Sequence, residues 1–171
     1  MNSLTGRAPL LVFAYGNPSR GDDALGPVIY DLLEQYRQET GRLDSLELLT
    51  DYQLQIEYAV DLEQRECALF IDASVSCPAP YEFHKLQPQQ DDSYTSHAQS
   101  PAAVLAVYRK INRQEPPPSY MLSIRGYEFG LGQAMTDQAK KNLDLSFKFV
   151  RELLETDVAD WLTKITQKVK G

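Results

Sequence analysis

The chain has two cysteines, Cys67 and Cys77, and they do not form a C-x-x-C pair. That excludes a disulfide framework, a zinc ribbon and a thioredoxin-like dithiol; both read as reduced thiols, Cys67 in the core. Only two histidines occur, His84 and His97. No apolar run approaches the ~18 residues of a membrane span. The first eight residues hold one Arg and no apolar stretch, so no secretory signal is expected. Cationic clusters are missing too. The formal net charge is −7, which argues against nucleic-acid partners and anionic membrane surfaces, because phosphate binding needs grouped Lys and Arg. There is no H-E-x-x-H and no visible Ser-His-Asp or Cys-His arrangement. What remains is an acidic chain expected to form one cytoplasmic domain over residues 1–171, with an ordinary apolar fraction and no internal repeat or linker.

One stretch organises the rest: Phe13-Ala14-Tyr15-Gly16-Asn17-Pro18-Ser19-Arg20-Gly21-Asp22-Asp23-Ala24-Leu25-Gly26. An apolar run, Pro9 to Ala14, reads as a buried parallel strand. It feeds a turn-rich loop that ends in two adjacent carboxylates. Leu25, Val28, Ile29, Leu32, Leu33 and Tyr36 then recur at helical spacing, predicting an amphipathic helix from Ala24 to Arg37. Strand, loop, acidic pair and helix are the layout of a ligand site at the carboxyl edge of an α/β sheet. Gly16 and Gly21 have the spacing of a phosphate-cradling loop. Asp22 and Asp23 stand where that loop needs Lys and Ser or Thr, and two carboxylates repel a phosphate. No G-x-G-x-x-G is present either, so a dinucleotide is excluded. A cation or a proton-donating group is left. Pro27 fits only in a first helical turn, which makes Asp23 the expected N-cap, and a cap can also be a ligand.

Further along, Ser45 to Leu49 reads as a second strand, ending in the polar loop Thr50-Asp51-Tyr52-Gln53-Leu54-Gln55. A helix carrying Ile56, Val60 and Leu62 inward is expected next. Cys67 to Ile71 is a third strand, running into Asp72. Parallel crossovers bring strand carboxyl ends to one edge, so Asp72 is expected near Asp23, where the two would repel unless something cationic sits between them. Tyr81 to Leu86 alternates as a fourth strand. The linker before it is too short for a parallel return, so it should run antiparallel or lie beyond its neighbours. Ser100 and Pro101 mark a helix start just after His97. Tyr120 to Ile124 is a fifth strand. A glycine-punctuated loop leads to a last helix starting near Thr136, with Leu143, Phe147, Val150 and Leu154 on one stripe. A final apolar segment holds Val158, Trp161, Leu162 and Ile165.

Gly16-Asn17, Asp22-Asp23-x2-Gly26, Asp72 at a strand end and Ser96-His97 before a helix together resemble the nickel–iron hydrogenase maturation endopeptidases. Gly16 to Pro27 and Thr50 to Glu57 are most similar to the branch serving soluble, NAD-linked or bidirectional hydrogenases. The resemblance implies a three-layer α/β/α sandwich around a mixed, mostly parallel five-stranded sheet with one antiparallel strand. It implies a peptidase that removes a C-terminal extension from the hydrogenase large-subunit precursor after nickel insertion. The nickel is carried by that substrate, and no organic cofactor is implied. By the same resemblance Asp23, Asp72 and His97 are the nickel-recognising and catalytic residues. Relatives often carry Glu at the first of these, so the shorter Asp23 would have to approach the metal more closely. Asn17, Asp22, Asp51 and Gln53 are candidate substrate-groove residues.

Two other classes fit part of the pattern. A phospho-accepting receiver domain would hold Mg²⁺ on Asp22 and Asp23 and take its phosphoryl group on Asp72. It lacks here the Lys expected at the end of strand five, where Arg125 stands. A nickel carrier without catalysis would bind the ion stoichiometrically.

Overall fold

Residues 6–41, 45–89 and 99–166 are described in the computed structural model of the chain. Five strands form one sheet: β1 (Leu10–Ala14), β2 (Leu46–Leu49), β3 (Cys67–Ser74), β4 (Tyr81–Lys85) and β5 (Ser119–Arg125). Their spatial order is β2-β1-β3-β5-β4. The first four of these neighbours run parallel, and β4 pairs antiparallel with β5 at the edge. The short β3–β4 link thus produces both features anticipated for it, an antiparallel strand lying beyond its neighbours.

β1 sits inside the sheet, and all five of its residues are buried. Its side chains alternate between the two faces, as strand geometry requires. Leu10, Val12 and Ala14 join the core under α1 (Leu25–Thr40) and α3 (Asp137–Leu154), with Ile29, Leu33, Leu143 and Val150. Leu11 and Phe13 join the core on the opposite face, under α2 (Pro101–Asn112) and a 3₁₀ segment Ile56–Leu62. The result is a three-layer α/β/α sandwich.

Several local expectations change. α1 begins at Leu25 and runs to Thr40, three residues past the expected end. Gly41 adopts a left-handed conformation (φ 65°) and its N–H donates to the Arg37 carbonyl, closing the helix there. Asp23 is not the N-cap. It lies in a 3₁₀ turn, Gly21–Ala24, that precedes the helix. The segment after β2 is 3₁₀, not α. Ala59 and Leu62, three apart and so in line along a 3₁₀ helix, are buried, while Ile56, at its first position, and Val60 are exposed. Ser100 and Thr136 cap α2 and α3 by accepting from the amides of Ala103 and Ala139.

Beyond α3 a 3₁₀ segment, Val158–Lys164, buries Trp161 against Phe83 and Tyr120, while Leu162 is exposed. Thr166 then lies along the edge strand. Its amide donates to the Phe83 carbonyl (3.0 Å), and its hydroxyl accepts from the Phe83 amide (3.1 Å). No helix among the described residues is long and apolar enough to cross a membrane.

Candidate active site

Where β1 ends, the chain is stitched to both neighbours. The Tyr15 amide donates to the Ile71 carbonyl of β3 (3.1 Å), and the Gly16 amide donates to the Asp51 carbonyl after β2 (3.0 Å). The crevice opens at this point, where the order of connections reverses: β1 leads to β2 on one side, and the next crossover goes to β3 on the other. A cleft of about 780 Å³ lies there, lined by Asn17, Asp23, Asp51, Gln53 and Asp72 among others, with Gln99 to Pro101 closing one wall.

Gly16 has φ +150°, and a Cβ on it would stand 2.1 Å from the Asp23 carbonyl oxygen. Only glycine allows this approach, which folds the loop back and presents Asp23. The Asp23 carboxylate accepts the Asn17 amide at 2.7 Å, and the Asn17 side chain accepts the Ser19 amide at 2.9 Å. Burial raises the Asp23 pKa, partly offset by the Asn17 hydrogen bond and the charge of Arg20.

Asp72 lies within β3, two residues before its end and level with Ser123 of β5. Its carboxylate accepts its neighbour's amide, Ala73, at 2.8 Å. Burial, and then the charge of Asp23, pushes its pKa up to about 8. The same burial and the two carboxylates hold the Tyr15 phenol well above its ordinary value, so it stays a neutral donor. Burial of both acids, and the charge of Asp23 on Asp72, make ionisation costly, and groups perturbed in this way cluster at functional sites.

Asp22 goes elsewhere. It is fully buried and does not line the cleft. Its carboxylate accepts the amides of Tyr127 (2.7 Å), Glu128 (3.1 Å) and Thr136 (2.7 Å) and the Thr136 hydroxyl (2.9 Å). These bonds hold its pKa low despite burial. The expected groove role for Asp22 is therefore corrected to a structural one: it ties the β1–α1 loop to the β5–α3 loop. Nor can Asp22 and Asp23 share a Mg²⁺ ion in this arrangement, since the oxygens of Asp22 are engaged away from the cleft. The antiparallel edge strand also departs from the all-parallel sheet of a receiver.

Of the residues singled out in the sequence, Asn17, Asp23, Asp51, Gln53 and Asp72 thus converge on one cleft. His97 lies outside the described residues; Gln99, two positions on, donates its amide to the Leu54 carbonyl at 3.0 Å and lines the wall. Among the described residues no three His, Cys, Asp or Glu are grouped to hold a metal ion. Sequence reading missed Tyr15 and Tyr58. Tyr15 is hidden as the continuation of an apolar run, and Tyr58 has no local signal because its partner, Asp51, stands seven residues away.

The five-stranded mixed sheet and its flanking helices give this chain the same fold as solved hydrogenase maturation proteases. HybD, a hydrogenase maturating endopeptidase from E. coli, matches with a TM-score of 0.65 at 22% identity, over 85% of this chain and 91% of that one. HycI, a [NiFe] hydrogenase maturation protease from Thermococcus kodakarensis KOD1, matches with a TM-score of 0.63 at 17% identity, over 89% and 96%. A hydrogenase 2 maturation peptidase from a Thaumarchaeota archaeon gives 0.60 at 19% identity, over 86% and 99%. No protein-family model and no curated protein sequence matches the chain.

Proposed function

We propose that this chain is an endopeptidase that removes the C-terminal extension of a nickel-loaded hydrogenase large-subunit precursor. The observation that carries the proposal is the pair Asp23 and Asp72, set together in an acidic cleft at the carboxyl edge of this fold. Two carboxylates that raise the cost of their own charges are receptive to a cation. Substrate nickel, held mainly by the precursor's own ligands, would relieve that repulsion on arrival. His97 would add an imidazole to the same ion. Cleavage would then depend on nickel loading, because the metal docks the scissile segment along the cleft. A water activated by a carboxylate is the nucleophile of this scheme. Asn17, Asp51 and Gln53 line the groove in which the peptide would lie. The client is a soluble, NAD-linked or bidirectional hydrogenase, on the strength of the Gly16 to Pro27 and Thr50 to Glu57 phrases. Because the ion comes with the substrate, the protein needs no resident metal, and its place of action is the cytoplasm.

The test is the intact mass of a nickel-loaded precursor before and after incubation with the protein, beside its nickel-free counterpart. A discrete C-terminal loss only in the loaded sample is expected, and Asp23→Asn, Asp72→Asn and His97→Ala should each abolish it. Loss from both samples would remove the nickel dependence. No loss from either, with stoichiometric nickel uptake by the isolated protein, would favour a metal carrier.

A further inference from the structure

Asp51 is the third carboxylate of the cleft, and it is held differently from the other two. Its backbone carbonyl accepts the Gly16 amide at 3.0 Å, which ties it to the loop that presents Asp23. One carboxylate oxygen accepts the Tyr52 amide at 2.6 Å. The other accepts the Tyr58 hydroxyl. Tyr58 is outside the cleft lining, on the 3₁₀ segment, where its ring packs edge-on against the core residue Phe13 with centroids 4.4 Å apart. That contact fixes the ring, and the ring fixes the hydroxyl. Burial and the neighbouring acids, Asp51 first among them, push the Tyr58 phenol up to about 12, so it remains a donor at any working pH.

A carboxylate offers about four acceptor positions. Two of those on Asp51 are spent on donors of its own chain, while the residue still lines the cleft. Such a group is oriented, with acceptor capacity left for a ligand. An extended peptide presents backbone N–H donors at regular intervals, and these are the complement of a fixed acceptor on a groove wall. We propose that Tyr58 is a positioning residue that holds Asp51 as a fixed acceptor for backbone N–H groups of the substrate chain in the cleft. This rests on the peptidase reading above. Asp51 touches substrate; Tyr58 acts only through Asp51. The predicted effect belongs to ground-state and transition-state binding alike, so it falls on KM and spares kcat.

Steady-state cleavage of a nickel-loaded large-subunit precursor tests this with the full-length protein, Tyr58→Phe, Asp51→Ala and the double variant. Tyr58→Phe keeps the ring and its contact with Phe13 and removes one hydrogen bond, so its unfolding midpoint should fall only slightly. Its KM should rise about 2- to 13-fold, the span of one net hydrogen bond, with kcat within about twofold. In the Asp51→Ala background the same change should add nothing. An unchanged KM in Tyr58→Phe would overturn the inference. So would an additive effect in the double variant, or a fall in kcat that tracks a loss of stability. Should Asp51→Ala fail to fold, the split between KM and kcat in Tyr58→Phe decides alone. If the unsubstituted protein leaves the precursor intact, the peptidase reading falls and this inference with it. If it cleaves and Tyr58→Phe is normal, only this inference falls.

Discussion

Successive side chains in a 3₁₀ turn are about 120° apart, and that rotation separates Asp22 from Asp23. One turns into the protein and meets four donors; the other turns to the cleft and meets one. Sequence reading could identify the acidic pair as important but could not divide the labour, because the partners of Asp22 lie more than a hundred residues away. Asp22→Ala should lower the unfolding free energy by about 3–5 kcal/mol, since several buried donors lose their acceptor at once. Urea denaturation would measure it, and Asp23→Ala should cost far less. Asp72 behaves in the opposite sense. Its pKa rises from 3.8 to about 8 on folding, so the native state binds that proton more tightly than the unfolded chain. The group's contribution to stability is complete below pH 3.8 and is lost as the pH climbs to about 8. Asp72→Asn should flatten this limb and raise the urea midpoint at pH 8 above that of the unsubstituted protein. A variant less stable than its parent at pH 8 would contradict the assigned burial. A gain in stability with a loss of cleavage is the signature of a residue kept for function.

Elements divide into those whose type follows from pattern and those whose type depends on partners. β1 and β3 are legible as continuous apolar runs, β5 as a short, mostly apolar segment around Ser123, and the direction of β4 follows from the length of the link before it. α2 and α3 were legible from Ser100 and Thr136. The 3₁₀ segments were not. Over seven residues the spacings of 3₁₀ and α helices barely diverge, so Ile56 and Val60 suit an inner face with Leu62 as well as Ala59 does, and only Leu62 of the expected three is buried. The last 3₁₀ segment depends on one side chain. Trp161 is fully buried, its indole N–H donates to the carbonyls of Leu153 (3.0 Å) and Thr156 (3.2 Å), and its ring meets Phe83 and Tyr120 edge-on. Trp161→Ala should cost about 3–5 kcal/mol, read from thermal or chemical unfolding. Trp161→Phe should recover part of that loss by refilling the space without the N–H.

At the scale of the molecule, the candidate site was legible because topology alone brings the carboxyl ends of β1 and β3 side by side. Asp23 and Asp72 need no knowledge of packing to be placed near one another. The positions of Tyr15, Tyr58 and the Asp22 clasp do need it, since each is fixed by bonds between loops that are distant in sequence or by burial in a shared core. The segment that ends at Thr166 has a role of another kind. β4 is one of the sheet's two edge strands, and the bonds between Thr166 and Phe83 occupy a donor and an acceptor that would otherwise face outward. A shortened chain lacking residues 158–166 would expose that rim along with the ring of Phe83, giving a second copy a template for strand addition. The closing turn of the described chain is thereby a guard against self-association, and colloidal behaviour would be the first property to suffer from its removal.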